Sequence, residues 1–285
     1  MTQLHKAFCI LLSLVVLSSC ISRKTHLYQL QNPHQVPLFK EKNEARFTGL
    51  MGFGNDNQGL GAQTAYSVSD KFSVALNFMQ NKNSKSESID GVSSGHWSAL
   101  YYDGAIGYYK DFKEWGVFET YAGFGYGTQE HSYSMLKEEW VNIWFFGSTL
   151  SQTLVPIGTA DFITNRFYIQ PNYGLSLNGI DIALSVRGTY LYFVSVTNKV
   201  TNGTSEYLNV KKIGDDREYY LIEPAITFKA GWKYVKGFMQ FATTGFLGNN
   251  YLPISNSTFS FGLQFSFAPR FRKKNIESGS TSNVN

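Results

Sequence analysis

Few residues of this 285-residue chain are equipped for chemistry. It has five histidines and two cysteines. His96 and His131 have the most suggestive surroundings: Ser94 lies close to the first, and Glu130 and Ser132 flank the second. A histidine beside a carboxylate and a hydroxyl is the minimum of a general-base or nucleophile-activating set. A hairpin folded about residue 113 would bring His96 opposite residue 130. The pair could then serve an outer-membrane hydrolase, or form a two-histidine metal site short of further ligands. The other histidines offer less, since His5 lies in the N-terminal apolar segment and His26 and His34 in the stretch after it. Two loop histidines are more often incidental. The reading preferred is that the chain is not an enzyme and has no catalytic residues, no metal and no bound cofactor.

Cys9 and Cys20 point to a different chemistry. The chain opens MTQLHKAFCILLSLVVLSSC. Lys6 supplies a positive start, and the apolar run from Ala7 to Leu17 suits a signal-peptide core; it is too short for a spanning helix, which takes about 20 residues. The run ends in Leu17-Ser18-Ser19-Cys20, which resembles a bacterial lipobox. That resemblance implies that residues 1–19 are removed and that Cys20 carries a diacylglyceryl and an acyl (palmitate-type) modification. The alternative is an ordinary signal peptide that happens to contain a cysteine. Ile21 follows Cys20, so the aspartate of an inner-membrane retention signal is absent, and so is an acidic export pair. The anchor is therefore expected in the periplasmic leaflet of the outer membrane, held at about 0.8 kcal/mol per buried CH₂.

Composition constrains the rest. Aromatics and charged residues each make up 16%, with 26 glycines and a net charge of +4. Low charge with many aromatics excludes a disordered chain. Two clustered cysteines exclude a disulfide scaffold or a cysteine-built zinc site. The mild net charge, with no Lys/Arg-rich run before the tail, gives no nucleic-acid footprint. Mean hydropathy is −0.20, so the aromatic surplus sits in a chain that is slightly polar on average.

Period-two alternation accounts for that average. Phe167, Ile169, Tyr173 and Leu175 alternate with Arg166, Gln170, Asn172 and Ser176; Phe259, Phe261, Leu263, Phe265 and Phe267 alternate with Ser260, Gly262, Gln264 and Ser266. The pattern predicts about ten strands (eight to twelve): 45–54, 59–68, 71–79, 97–110, 115–128, 165–177, 180–194, 218–234, 237–247 and 257–267. Several are longer than strands of soluble sheets and match membrane strands of about 9–11 residues. Connections alternate strictly. Those at 69–70, 111–114, 178–179 and 235–236 are short, whereas 80–96, 129–164 and 195–217 are long. Short turns on one side and long loops on the other mark an antiparallel transmembrane β-barrel of the outer-membrane type, with periplasmic turns and extracellular loops. A soluble sandwich would also alternate but would not explain the loop asymmetry. Pro171 and Pro224 lack a ladder donor, so bulges are expected there. The aromatic alternation ending at Phe267 resembles the C-terminal signal read by the outer-membrane assembly machinery.

The division expected is a signal peptide (1–19), a lipidated periplasmic leader (20–44), the barrel (45–267) and a disordered polar tail (268–285). The alternation assigns Arg46, Asp103, Glu119, Arg166, Arg187, Glu223, Lys229 and Lys233 to the barrel interior. Both signs are present, so a paired network filling a narrow barrel is expected, because such charges are costly unpaired. The alternative is a small, weakly selective pore. In loop 129–164 the apolar run Trp140, Val141, Asn142, Ile143, Trp144, Phe145 and Phe146 could be a lid, a plug, a further hairpin or a contact surface for a partner.

Three segments carry a resemblance: Pro37-Leu38-Phe39-Lys40-Glu41-Lys42-Asn43-Glu44-Ala45, Phe167-Tyr168-Ile169-Gln170-Pro171-Asn172-Tyr173-Gly174 and Ile222-Glu223-Pro224-Ala225. Together they look like the outer-membrane β-barrel lipoproteins of Bacteroidota, over most of residues 20–267. The resemblance implies location and architecture and brings no reaction or catalytic residues. The expected role is a lipid-anchored structural or accessory subunit of an envelope protein complex, with outer-membrane lipids around it. A narrow channel is the alternative, and a hydrolase using His96 and His131 the third.

Overall fold

The computed structural model describes residues 32–54, 58–82, 88–89, 92–112, 116–143, 147–177, 179–248, 257–269 and 271. The signal peptide and Cys20 lie outside them. The elements run β1 (Ala45–Gly54), β2 (Gln58–Ser67), β3 (Phe72–Lys82), β4 (Ser88–Ile89), β5 (Val92–Asp111), β6 (Val117–Ile143), β7 (Gly147–Leu177), β8 (Ile180–Asn198), α1 (Ser205–Asp215), β9 (Glu218–Gly231), β10 (Val235–Thr243), β11 (Gly245–Phe246) and β12 (Ser257–Phe267). β4 and β11 are two-residue pieces. The other ten strands pair antiparallel in the order β10-β12-β1-β2-β3-β5-β6-β7-β8-β9, and β9 pairs back onto β10. The sheet is a closed transmembrane barrel with no free edge.

Closure follows from the alternation. β3 is alternately buried and exposed along its whole length. Its outward residues join an apolar wall in which Leu76 is 61% and Ile106 68% exposed. Water-soluble proteins rarely expose such a wall, whereas lipid makes it favourable. Aromatic pairs lie on the outside towards both rims, Phe72 against Tyr108 at the short-turn end and Tyr190 against Tyr220 at the other. Such belts sit at membrane interfaces.

The structure differs from the expectation in four places. First, loop 129–164 adds no barrel strands. β6 and β7 continue through it, paired from Gln129↔Phe162 to Ile143↔Gly147. The result is one long hairpin beyond the rim. Trp140 and Ile143 lie at its far end, and Trp144, Phe145 and Phe146 lie outside the described residues. Second, Pro171 and Pro224 cause no bulge. Pairing of β7 with β8 skips from Ile169↔Gly188 to Asn172↔Ser185 in unchanged register. Pro224 stays paired with Val186 and sits where the partner of β9 changes from β10 to β11. A missing N–H is absorbed by omitting a ladder bond, which needs no extra residue. The irregularities fall instead at Ser94/Trp97, Tyr133/Ser134 and Ile163/Thr164. Third, the tail starts ordered. Phe271 donates its N–H to Ala268 O and packs edge-on against Tyr234, 5.3 Å between ring centres.

The fourth difference is the largest. From Asn32 onward the leader is not a free periplasmic segment: residues 32–39 are buried inside the barrel. The reason is physical. The ten-stranded wall encloses many polar groups, and the leader supplies partners for Gln63, Asp103, Glu119, Gln170, Asn172, Arg187, Lys229 and Gln240.

Candidate functional site

The leader enters the lumen at the short-turn end. Glu44 fixes the entry: its N–H donates to Ser67 Oγ, its Oε1 accepts the N–H groups of Lys40 and Glu41, and its Oε2 pairs with Arg46 at 2.8 Å. Asn43 and Leu38 both take left-handed backbone, φ +62° and +58°. Such angles are uncommon outside glycine and persist only where contacts impose them. At Leu38 the contact is close packing. A Cβ on Gly174 would lie 2.5 Å from Leu38 Cδ2, so the wall is thinned there to admit the side chain. Phe39 is 0% exposed and fills a pocket of Ala65, Ala75, Ala105, Tyr109, Tyr121 and Tyr168. The small alanines on β2, β3 and β5 make that room.

Above Phe39 the leader climbs as an extended chain, and the wall reads its backbone. The carbonyl of Val36 accepts from Lys229 Nζ. That of Gln35 accepts from Gln170 Nε2 at 2.8 Å and Asn172 Nδ2 at 3.1 Å. His34 is bound on both main-chain groups by one amide: its N–H donates to Gln240 Oε1 at 2.7 Å and its carbonyl accepts from Gln240 Nε2 at 3.0 Å. Pro33 O accepts from Gln63 Nε2 at 2.8 Å, and Asn32 O from Arg187 Nη1 at 3.0 Å. Lower down, Phe39 N–H donates to Glu119 Oε1 at 2.9 Å. Five consecutive carbonyls, Asn32 to Val36, thus have wall side chains as donors. Buried main-chain groups must be paired, and a barrel has spent its own backbone groups on its ladders. Side-chain amides and cations therefore take the part that a neighbouring strand would otherwise play.

Seven of the eight charges assigned to the interior are there: Arg46, Asp103, Glu119, Arg166, Arg187, Glu223 and Lys229 are all buried. Lys233 is not. It is exposed in the turn after β9, with its Nζ 4.8 Å from the centre of the Tyr234 ring. Gly231, at φ +148°, ends the strand before the alternation can reach it. The expected paired network is half present. Arg166 pairs with Glu223, which also accepts from Thr189 Oγ1 at 2.8 Å, and Arg46 pairs with Glu44. Arg187, Asp103, Glu119 and Lys229 instead hold the leader. Asp103 accepts from Asn32 Nδ2, from Asn77 Nδ2 at 2.7 Å and from Tyr168 OH at 2.7 Å. Arg187 lies 4.8 Å from the centre of the Tyr168 ring while binding Gln170 Oε1 at 2.7 Å. Sequence reasoning missed Asp181, which pairs with Lys236 at 2.8 Å, and the reading amides Gln63, Gln170, Asn172 and Gln240. Their inward phase in the alternation was the available signal.

The long-loop half of the lumen holds an apolar layer instead. Thr204 caps α1, its Oγ1 accepting from Tyr207 N–H at 3.2 Å. Val210 and Ile213 of α1 pack on Phe162, Leu191, Phe193, Tyr219 and Leu221 of the wall. This apolar layer lies above the Arg166–Glu223 pair.

The hairpin turns about residue 114 rather than 113, so Glu130 stands opposite Ser98 and His131 opposite Trp97, and the register shifts only beyond Trp97, between it and Ser94. His131 is buried, stacked on Trp97 at 5.8 Å and Tyr133 at 6.1 Å, with a ring nitrogen 3.3 Å from Gln129 Oε1. Beside it lies an open cavity of about 460 Å³ lined also by Lys82, Ser98, Glu130, Ser132 and Asp161. Glu130 and Asp161 are paired across β6 and β7, and Ser98 and Glu130 across β5 and β6. This row puts charged groups on the outer wall, at the upper limit of the apolar band. Among the described residues no cluster of three or more potential metal ligands occurs.

No family model matches the chain, and no curated protein matches it. Several solved structures are similar in fold. The outer membrane protease OmpT from Escherichia coli shares 7% identity over 82% of this chain and 99% of its own, with a TM-score of 0.39. The translocator domain of the autotransporter NalP from Neisseria meningitidis shares 8% over 78% and 87%, with a TM-score of 0.42. An outer membrane channel from Pseudomonas putida F1 shares 11% over 82% and 100%, with a TM-score of 0.37. The fold itself, a closed ten-stranded antiparallel β-barrel, rests on the strand pairing.

Proposed function

We propose that the protein is a closed, non-enzymatic outer-membrane barrel, lipid-anchored at Cys20, that serves as a structural or accessory subunit of an envelope complex. The observation that carries this reading is the leader seated in the short-turn half of the lumen, with the α1 layer packed against the β6–β9 side of the other half. The anchor is proposed from the lipobox-like run Leu17-Ser18-Ser19-Cys20, and Cys20 lies outside the described residues. The short turns then face the periplasm and the long loops the exterior, as in other barrels.

The contact surface proposed is the β6–β7 hairpin. From the Glu130–Asp161 pair to its tip it projects about 40 Å at 3.3 Å per residue. Met135, Leu150, Leu154 and Val155 are exposed on it, beyond the polar row that bounds the lipid-facing wall. Apolar groups presented to water mark a partner site. Extraction in mild detergent and affinity capture tests the reading. Stoichiometric partners that are lost in a Leu154→Asp variant support it. Capture of the barrel alone, with open-pore conductance in planar bilayers, would favour the channel instead. The hydrolase has less behind it, because His131 is enclosed by Trp97, Tyr133 and Phe162.

A further inference from the structure

The contacts in the lumen have the character of ligand recognition. The six reading residues, Gln63, Gln170, Asn172, Arg187, Lys229 and Gln240, come from β2, β7, β8, β9 and β10 and converge on main-chain atoms. Main-chain reading is tolerant of sequence, because every residue except proline presents the same groups. Selectivity is left to a few side chains. Phe39 enters its alanine- and tyrosine-lined pocket, and Leu38 presses on Gly174. This division, with backbone bonds for affinity and pockets for specificity, is how extended peptides bind at sheet edges. A closed barrel has no edge, and here side-chain amides do the work of one. The occupant is tethered by a short turn in which Lys42 and Asn43 are exposed.

We propose that the short-turn half of the lumen is a binding site for an extended polypeptide segment. The leader is the occupant supplied by the chain itself, and a segment of the same pattern from a second polypeptide takes its place. That segment enters from the short-turn end, runs with its N-terminus towards the long loops, and carries an aromatic residue where Phe39 lies. The proposal rests on the lumen contacts alone and is independent of the accessory role assigned to the hairpin.

The test uses the full chain in lipid nanodiscs with a site-specific protease sequence inserted between Lys42 and Asn43. After cleavage, a dye-labelled peptide corresponding to residues 32–42 is added. The expected result is saturable uptake with release of the cut leader. A peptide with Ala at positions 33–35 should bind within about tenfold of the native peptide, since the main chain there is what is read. A peptide carrying Phe39→Asp should bind at least tenfold more weakly, and a Gln240→Leu barrel should bind the native peptide at least tenfold more weakly. Equal uptake of native and scrambled peptides would overturn the proposal. So would a cut leader that never exchanges with excess peptide, or loss of binding for the peptide altered at 33–35, which would confine the site to its own leader. Far-ultraviolet circular dichroism of the Gln240→Leu protein, unchanged from the parent, separates a lost contact from a lost fold.

Discussion

The two halves of the lumen are filled by opposite means. At the long-loop end Phe162, Leu191, Phe193, Tyr219 and Leu221 meet α1 in an apolar layer. At the short-turn end a polar wall binds an extended chain through hydrogen bonds to its backbone. An apolar layer is non-directional and gains mainly from area removed from water. A hydrogen-bonded seat gains little net from each bond but is costly when a bond is left unmade. The first layer therefore depends little on the exact placement of any one group. The second is selective and of the kind that can exchange one occupant for another of the same shape. The charges divide accordingly: Arg166 and Glu223 pair with each other below the apolar layer, whereas Arg187, Asp103 and Lys229 reach the leader.

Substitutions can break this contrast one half at a time. Phe193→Ala removes a fully buried ring from the apolar layer and should cost about 3–5 kcal/mol of barrel stability, typical of a Phe-to-Ala cavity. It is read as a lower melting point of the heat-modifiable band, with the leader as protected from protease as in the parent. Arg187→Ala strikes the other half. It strips the donors from Asn32 O and weakens that of Pro33 O, at about 2–4 kcal/mol, since bonds from charged donors contribute about 1.5–3 kcal/mol each. The expected outcome is cleavage of the leader by added protease and intermittent conductance, with β-sheet content unchanged. Thr204→Ala removes the cap of α1 and should cost about 1 kcal/mol. It should quicken amide exchange in residues 205–208 and leave residues 32–39 untouched.

What was legible in the sequence follows the same division. Phase in the alternation placed Arg46, Asp103, Glu119, Arg166, Arg187, Glu223 and Lys229 inside, because a strand's period of two is rigid. It failed at Lys233, where a turn at Gly231 breaks the phase. The ring of ten strands was readable from the short turns. The leader's place was not. Its segment Asn32–Phe39 contains two prolines and no periodicity, and its partners lie far along the chain; Gln240 is 206 residues from His34. No local pattern encodes such a contact. Only the surplus of inward polar groups hinted that something polar must fill the lumen. The long hairpin was legible only as one of several possibilities for loop 129–164, for a related reason. Above the membrane band its outer face meets no lipid, so the alternation that marks a strand fades while the pairing continues to Ile143.

Residue-resolved hydrogen exchange on the full chain in lipid nanodiscs tests the seated leader most directly. Phe39 and His34 donate their N–H groups to Glu119 and Gln240 inside the barrel, whereas Lys42 lies in the exposed turn. The account predicts that the amides of His34 and Phe39 exchange as slowly as those of β8, over hours, and that Lys42 exchanges within seconds. Exchange of His34 and Phe39 as fast as Lys42 would contradict it.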